Sequence, residues 1–140
     1  MSAPVASPLL AMRAGLIALF STDAALRQIM GAAVRLYDEP PPGAPPVYAL
    51  FGECEIRDDS VDGAQRHRHD HALVVIARPG STRTAVDAAE RMAVLLSAGT
   101  LVLAGHSLVT LRVRTIAARR DERSGEARAS LTIEAVTETP

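Results

Sequence analysis

Apolar residues recur at three- and four-residue steps near the start of the chain, at Leu9, Met12, Leu16 and Phe20, directly after Ser7 and Pro8. A serine that can cap free amide groups, followed by proline at the first helical position, predicts a helix over about Pro8–Phe20. Ser21-Thr22-Asp23 is a second capping signal; Leu26, Ile29 and Met30 supply an apolar face and Gly31 a stop, so a short second helix follows. Leu36 and Tyr37 lead into Asp38–Pro46, whose five prolines fix φ, remove N–H donors and enforce an extended connector. Too few residues precede this connector to bury a core of their own, so it lies within a domain.

The pattern then changes to a period of two. Over Val47–Ile56, Tyr48, Leu50, Cys54 and Ile56 fall on one alternating set, interrupted by Gly52 as a bulge, and Asp58–Gly63 is turn chemistry. Arg66–Arg78 starts polar and ends in the unbroken apolar run Ala72–Ala77, which predicts a central strand buried on both faces. After Pro79-Gly80, Thr84–Asp87 has capping-box form. Val86, Ala89, Ala93 and Leu96 form a stripe opposite Asp87, Glu90 and Arg91, predicting a helix over Thr84–Ala98 that closes at Gly99. Thr100–Ala104, Ser107–Ala118 and Ala127–Val136 read as three antiparallel strands, joined by a tight turn at Gly105-His106 and a hairpin tip at Asp121–Glu126. Within the second, Leu111, Val113 and Thr115 alternate with Arg112, Arg114 and Ile116. The expected fold is α+β: a mainly antiparallel sheet with helices packed on one face. The expectation is a single domain over 1–140, with its core in about 8–137.

Composition narrows the function without supplying one. A chain of 140 residues can bury about two-thirds of its extended surface, enough for one core. One cysteine, Cys54, excludes an internal disulfide framework and an all-cysteine zinc site, and reads as a small core residue. Fifteen basic and 16 acidic residues give a net charge of -1, so there is no global field of the kind a free nucleic-acid binder carries. The apolar run Leu9–Phe20 contains Arg13, is too short to span a bilayer and has no basic residue before it, which points away from a membrane segment or secretory signal and toward a soluble intracellular protein.

Candidate chemistry is sparse. Ala104-Gly105-His106-Ser107-Leu108 places a serine after Gly-His as a hydrolase elbow would. However, Val109 stands where a small residue is needed, a strand follows instead of a helix, and no histidine follows Ser107; a hairpin turn is expected. His67, His69 and His71 alternate on one strand and project from one face at metal-binding intervals. Asp70 points the other way and His106 is remote, so the reading is a solvated strand end, dispensable for folding, and no metal or cofactor is expected. A metal-dependent hydrolytic enzyme using His67, His69 and His71 is the alternative, and a small-ligand-binding domain using the uncovered sheet face a third. Asp58, Asp59 and Asp62 lack calcium-loop spacing, and Arg119, Arg120, Asp121, Glu122 and Arg123 alternate in sign; both segments suit loop tips and are the candidate interface residues.

The order of these pieces resembles the tail completion, or tail terminator, proteins of long-tailed phages and of phage-derived gene transfer agents. The resemblance spans about residues 9–137. It rests on Leu36-Tyr37-Asp38-Glu39-Pro40-Pro41, on Pro46-Val47-Tyr48 opening a strand, on His71–Gly80 before a helix, on Leu101–Val109, and on Arg119-Arg120-Asp121 before a final strand. The family's usual tryptophan near the end of the central strand is replaced here around Ile76. The resemblance implies a structural role with no catalytic residues: six copies in a ring that stops tail-tube growth and joins the tube to the head-side stopper. The implied partners are the chain itself, the tail tube protein and the stopper, with DNA passing through the lumen without specific binding and no membrane contact. The implied location is the host cytoplasm during assembly and then the neck of the particle.

Overall fold

The computed structural model describes residues 7–78, 82–98 and 101–139. The expected turn at Pro79-Gly80, helix stop at Gly99 and strand start at Thr100 lie outside the described residues. Helix α1 (Pro8–Ser21) begins as its sequence dictates, with Pro8 in its first turn and the Ser7 hydroxyl accepting from the Leu10 N–H at 3.5 Å. Helix α2 (Ala24–Met30) is capped by Asp23, which accepts from the Leu26 N–H at 2.9 Å, and ends at Gly31 with φ of 89°. The Asp23 carboxylate also receives both arms of Arg91 from α3 (Thr82–Ser97), at 2.9 and 2.7 Å. That guanidinium, aided by the Leu26 N–H, outweighs desolvation and holds the Asp23 carboxyl at about 2, below its usual 3.8. One side chain thus caps α2 and ties it to α3. Asp23→Ala is expected to cost roughly 2 kcal/mol in a urea melt, against less than about 0.5 kcal/mol for Asp38→Ala, whose exposed carboxylate pairs with Arg13.

The strands β1 (Leu36–Tyr37), β2 (Val47–Asp58), β3 (Gln65–Ala77), β4 (Ser107–Arg120) and β5 (Ala127–Thr139) form one sheet in the order β1-β2-β3-β5-β4. All pairings are antiparallel except β1 with β2, where Leu36 and Tyr37 lie beside Ala49 and Leu50. The fold is α+β, with a mixed, mainly antiparallel sheet. β1 is the unexpected strand: two residues give no readable period, and it is held by tertiary pairing that includes Ala49 N–H to Arg35 C=O at 2.8 Å. β3 is central, as its apolar run required. The helix-side face of the sheet carries Leu73, Val75, Ala127, Ala129, Leu131 and Ile133, packed with Met12, Leu16, Phe20, Leu26 and the inner face of α3. That inner face is Ala85, Ala88, Ala89, Met92 and Leu96, with Val86 and Ala93 at its margins, so the stripe is rotated from the expected one.

Five local expectations are corrected. Two residues of β2, Gly52 and Glu53, oppose Ala72 alone, and this bulge inverts the facing of the strand. Tyr48 and Leu50 therefore share the open side with Ile76 and Val74, whereas Cys54 and Ile56 share the helix side with His71 and His69. A bulge between Val113 and Thr115 likewise brings Ile116 to the face of Leu111 and Val113. β3 is buried on both faces only at its end, where Ile76 is covered on the open side beside Tyr48; Ala72 and Val74 on that face are half-exposed. Cys54 is half-buried instead of a core residue. The segment 101–104 is not a strand: it runs unpaired beneath α1 with Leu101 and Leu103 buried and Val102 exposed, and a turn at Gly105 leads into β4, so Gly105-His106 closes no hairpin. Alternating burial there comes from contact with a helix. At the crossing, a Cβ placed on Gly15 would stand 2.8 Å from the Val102 carbonyl oxygen.

Candidate functional site

Among the described residues, one face of the sheet carries no helix, and its chemistry is a ladder of paired charges. Glu55, Asp70, Glu134 and Arg112 lie in one row across β2, β3, β5 and β4. Glu134, about 20% exposed, gathers Arg68, Arg112 and Arg114 at 3.6, 3.6 and 3.4 Å. Arg57 joins Asp70 at 3.1 Å and Glu55 at 3.5 Å, and Arg66 joins Glu138 at 3.4 Å. Pairs this exposed contribute roughly 0–1 kcal/mol each to stability. Their larger effect is to cancel one another's field. A shallow concavity of about 420 Å³ crosses this face, lined by Glu53, Glu55, Asp70, Ala72, Arg114 and Thr132 among others.

The imidazole rings of β3 point to the other face. His69 and His71 are buried on the helix side, in the same alternation as Leu73 and Val75, which corrects the solvated reading. His69 Nδ1 meets His71 Nε2 at 3.1 Å, and its Nε2 meets the Thr137 hydroxyl at 2.9 Å. Only one nitrogen of the ring–ring contact can carry a hydrogen without two donors colliding, so the geometry excludes two charged rings. Burial pulls both pKa values down to about 4, with His71 a further opposing charge for His69 and Arg13 for His71. His106 is also buried, with Nδ1 3.2 Å from the Thr139 hydroxyl. Among the described residues, no group of three or more His, Cys, Asp or Glu is placed to hold a metal ion. The missed signal was phase: the histidines continue the alternation of the core residues that follow them. Ser107 opens β4 on the surface with a strand, not a helix, after it, so no elbow forms.

The two charged tips lie at opposite ends and opposite edges of the sheet. Asp58 ends β2 and accepts from the N–H and hydroxyl of Ser60 at 3.0 and 2.5 Å, which holds its carboxyl below the usual range; Asp59 pairs with Arg68 at 3.8 Å, and Asp62 completes the turn. Arg119 and Arg120 end β4, and Asp121 shapes the tip by accepting from the Arg123 N–H at 3.0 Å, with Glu122 between them. Strands of 12–14 residues separate the tips by roughly 40 Å along the sheet.

Comparison with known proteins decides what this frame belongs to. The family model described as "Tail completion protein gp17" matches residues 14–138. The chain belongs to this tail completion family. Membership makes it a structural component of a virion tail and not an enzyme. A solved chain described as "Virion of native gene transfer agent (GTA) particle" is similar to it at 30% identity and a TM-score of 0.79, over 93% of this chain and 96% of that one. A search of curated protein sequences found no match. Among the described residues no single helix of the tail completion protein is long and apolar enough to cross a membrane, and α1 and α2 meet at a bend of 87°.

Proposed function

We propose that six copies of this protein close a ring that ends growth of a tail tube and joins the tube to the head-side stopper, with DNA passing through the lumen. The observation that carries the reading is the family match over residues 14–138, supported by structural similarity over 93% of this chain to a chain of a gene transfer agent virion. A chain of 140 residues is too small to enclose a DNA channel alone, so the role needs a closed cyclic oligomer with heterologous contacts. The charged ladder suits a passage, because Glu55, Asp70, Glu134 and Glu138 stand among its arginines and repel phosphate, so few phosphates are neutralised, few of their counterions are released and DNA is not retained. The opposite placement of the tips lets the acidic turn at Asp58, Asp59 and Asp62 meet one neighbour along the particle axis and Asp121, Glu122 and Arg123 the other, while Arg119 and Arg120 at the root of that tip are left for contacts between copies. Assembly takes place in the host cytoplasm and the product resides in the particle neck.

Deleting the gene is expected to give filled heads without tails beside unjoined tubes of uncontrolled length, visible by negative-stain microscopy, and purified protein should cap those tubes. Head-attached tails of normal length in the deletion strain would overturn the proposal.

A further inference from the structure

The sheet has two open edges, and they are chemically complementary. β4 is a 14-residue edge strand; its residues 115–120 are exposed on both faces, and among the described residues no strand pairs with its outer side. A row of unpaired backbone donors and acceptors this long is a template for another strand. On the far edge β1 covers β2 only at Ala49 and Leu50, leaving Phe51–Asp58 open. β4 carries Arg112, Arg114, Arg119 and Arg120 and no acid, whereas the open part of β2 carries Glu53, Glu55 and Asp58 with only Arg57 among them. Two β4 edges brought together across a two-fold axis would set arginine against arginine, which disfavours a closed dimer. An acidic edge meets no such repulsion, and the exposed Arg119 is placed to pair with it.

We infer that the β4 edge of one copy pairs antiparallel with the β2 edge of the next, so that the ring is one continuous sheet; this inference rests on the ring reading above. Bulges interrupt both strands and leave two regular stretches, Thr115–Arg120 and Cys54–Asp58, as the pairing surfaces. The register that keeps helix-side residues together sets Ile116, 39% exposed, opposite Ile56 of the next copy and Ala118 opposite Cys54 of the next copy. On the open side it sets Ala117 opposite Glu55 of the next copy and brings Arg119 beside its Glu53. Within one copy Ile116 stands level with Leu73 and Ile56 with His69, so this register advances each copy by four residues along the strands.

That stagger is what closure requires. Four long strands from each of six copies make a belt of about 24 strands, and a four-residue advance per copy gives a total stagger of about 24 residues, hence a strand tilt of about 35°, within the range of closed barrels. Such a belt is roughly 45 Å across between backbones. A helix layer on its inside would take roughly 15 Å from each side and close most of the bore, so the helices lie outside and the charged ladder lines the lumen.

Two separate readouts test the inference on the full chain: capping of tail tubes seen by microscopy, and covalent capture of the edges. Ala118→Cys is expected to form a disulfide with the native Cys54 of the next copy under mild oxidation, giving a non-reducing gel ladder ending at six, while Ala117→Cys, on the other face, gives none. Residues 118 and 54 of one copy sit on opposite edges of the sheet and cannot join each other. A chain carrying Ala117→Glu and Arg119→Glu, and one carrying Glu53→Arg and Glu55→Arg, are each expected to cap tubes at least about tenfold less well alone and to recover within about twofold when mixed, because alternating copies restore every contact. All four positions are exposed, and unchanged melting temperatures confirm folding. Capped tubes with neither ladder nor rescue would overturn the edge pairing and leave tail termination standing. A ladder without capping would leave the pairing standing and overturn tail termination, and the absence of both would overturn both.

Discussion

Acidification from pH 7 to pH 4 is expected to remove roughly 3 kcal/mol of folding stability for each of His69 and His71, less for the second because the rings touch. The unfolded chain takes up protons near pH 6.5, whereas the folded chain keeps both rings neutral until about pH 4. Between these values the unfolded state binds more protons, so stability is complete above pH 6.5, declines as pH falls, and levels off below about 4. His67, His106 and Arg13 add positive field around the pair and Asp70 only partly offsets it. Asp23 acts in a lower window, between 3.8 and about 2, so the two effects separate. Urea titrations at unit pH steps check this, with His69→Gln/His71→Gln as the control that flattens the slope. A wild-type stability that stays level from pH 6.5 to 4 would show that the rings are charged or solvated. Replacing these histidines is therefore not silent, contrary to what a solvated strand end would give.

Gly15→Val is expected to destabilise by roughly 3 kcal/mol or more, at the upper end of what overpacking costs. Its Cβ would meet the Val102 carbonyl oxygen at 2.8 Å and the Leu103 and Leu101 side chains at 3.0 and 3.2 Å, so α1 must lift from the segment that feeds β4. Gly15→Ala inverts the usual sign for a helix interior: the roughly 1 kcal/mol gained in helix propensity is outweighed by the clash. The outward-facing Ala14→Gly should lose only that propensity term. Thermal melts of the three variants decide the matter, and a stabilised Gly15→Ala protein would mean that α1 does not sit on residues 101–103.

Elements whose signal is local were legible in the sequence. Ser7-Pro8, Asp23 and Gly31 fix helix ends within one turn of chain, and the apolar run in β3 announces a central strand. Where tertiary contact decides, local pattern misled. Leu101 and Leu103 alternate like a strand because a helix lies over them, and β1 exists only because β2 is there to pair with it. The histidines read as polar in isolation, and their burial follows from the phase of Leu73 and Val75. The candidate interface residues were visible as turn chemistry, but their separation to opposite ends of the sheet depends on strand lengths and order that no single segment contains.

The bulge at Gly52-Glu53 has a consequence for changes in chain length. It absorbs one surplus residue, so a chain shortened by one there would run as a plain strand with every later side chain on its present side. Shortening β2 by one between Cys54 and Asp58, with the bulge kept, would instead exchange inside for outside beyond the lost residue. Ile56, which faces His69, and Arg57, which reaches Asp70, stand on opposite sides only while that count is kept. The fold thus tolerates insertions and deletions in the proline connector, the acidic turn, the hairpin tip and this one bulge, whatever they do to contacts with neighbours, and the rest of β2 has a fixed number of residues.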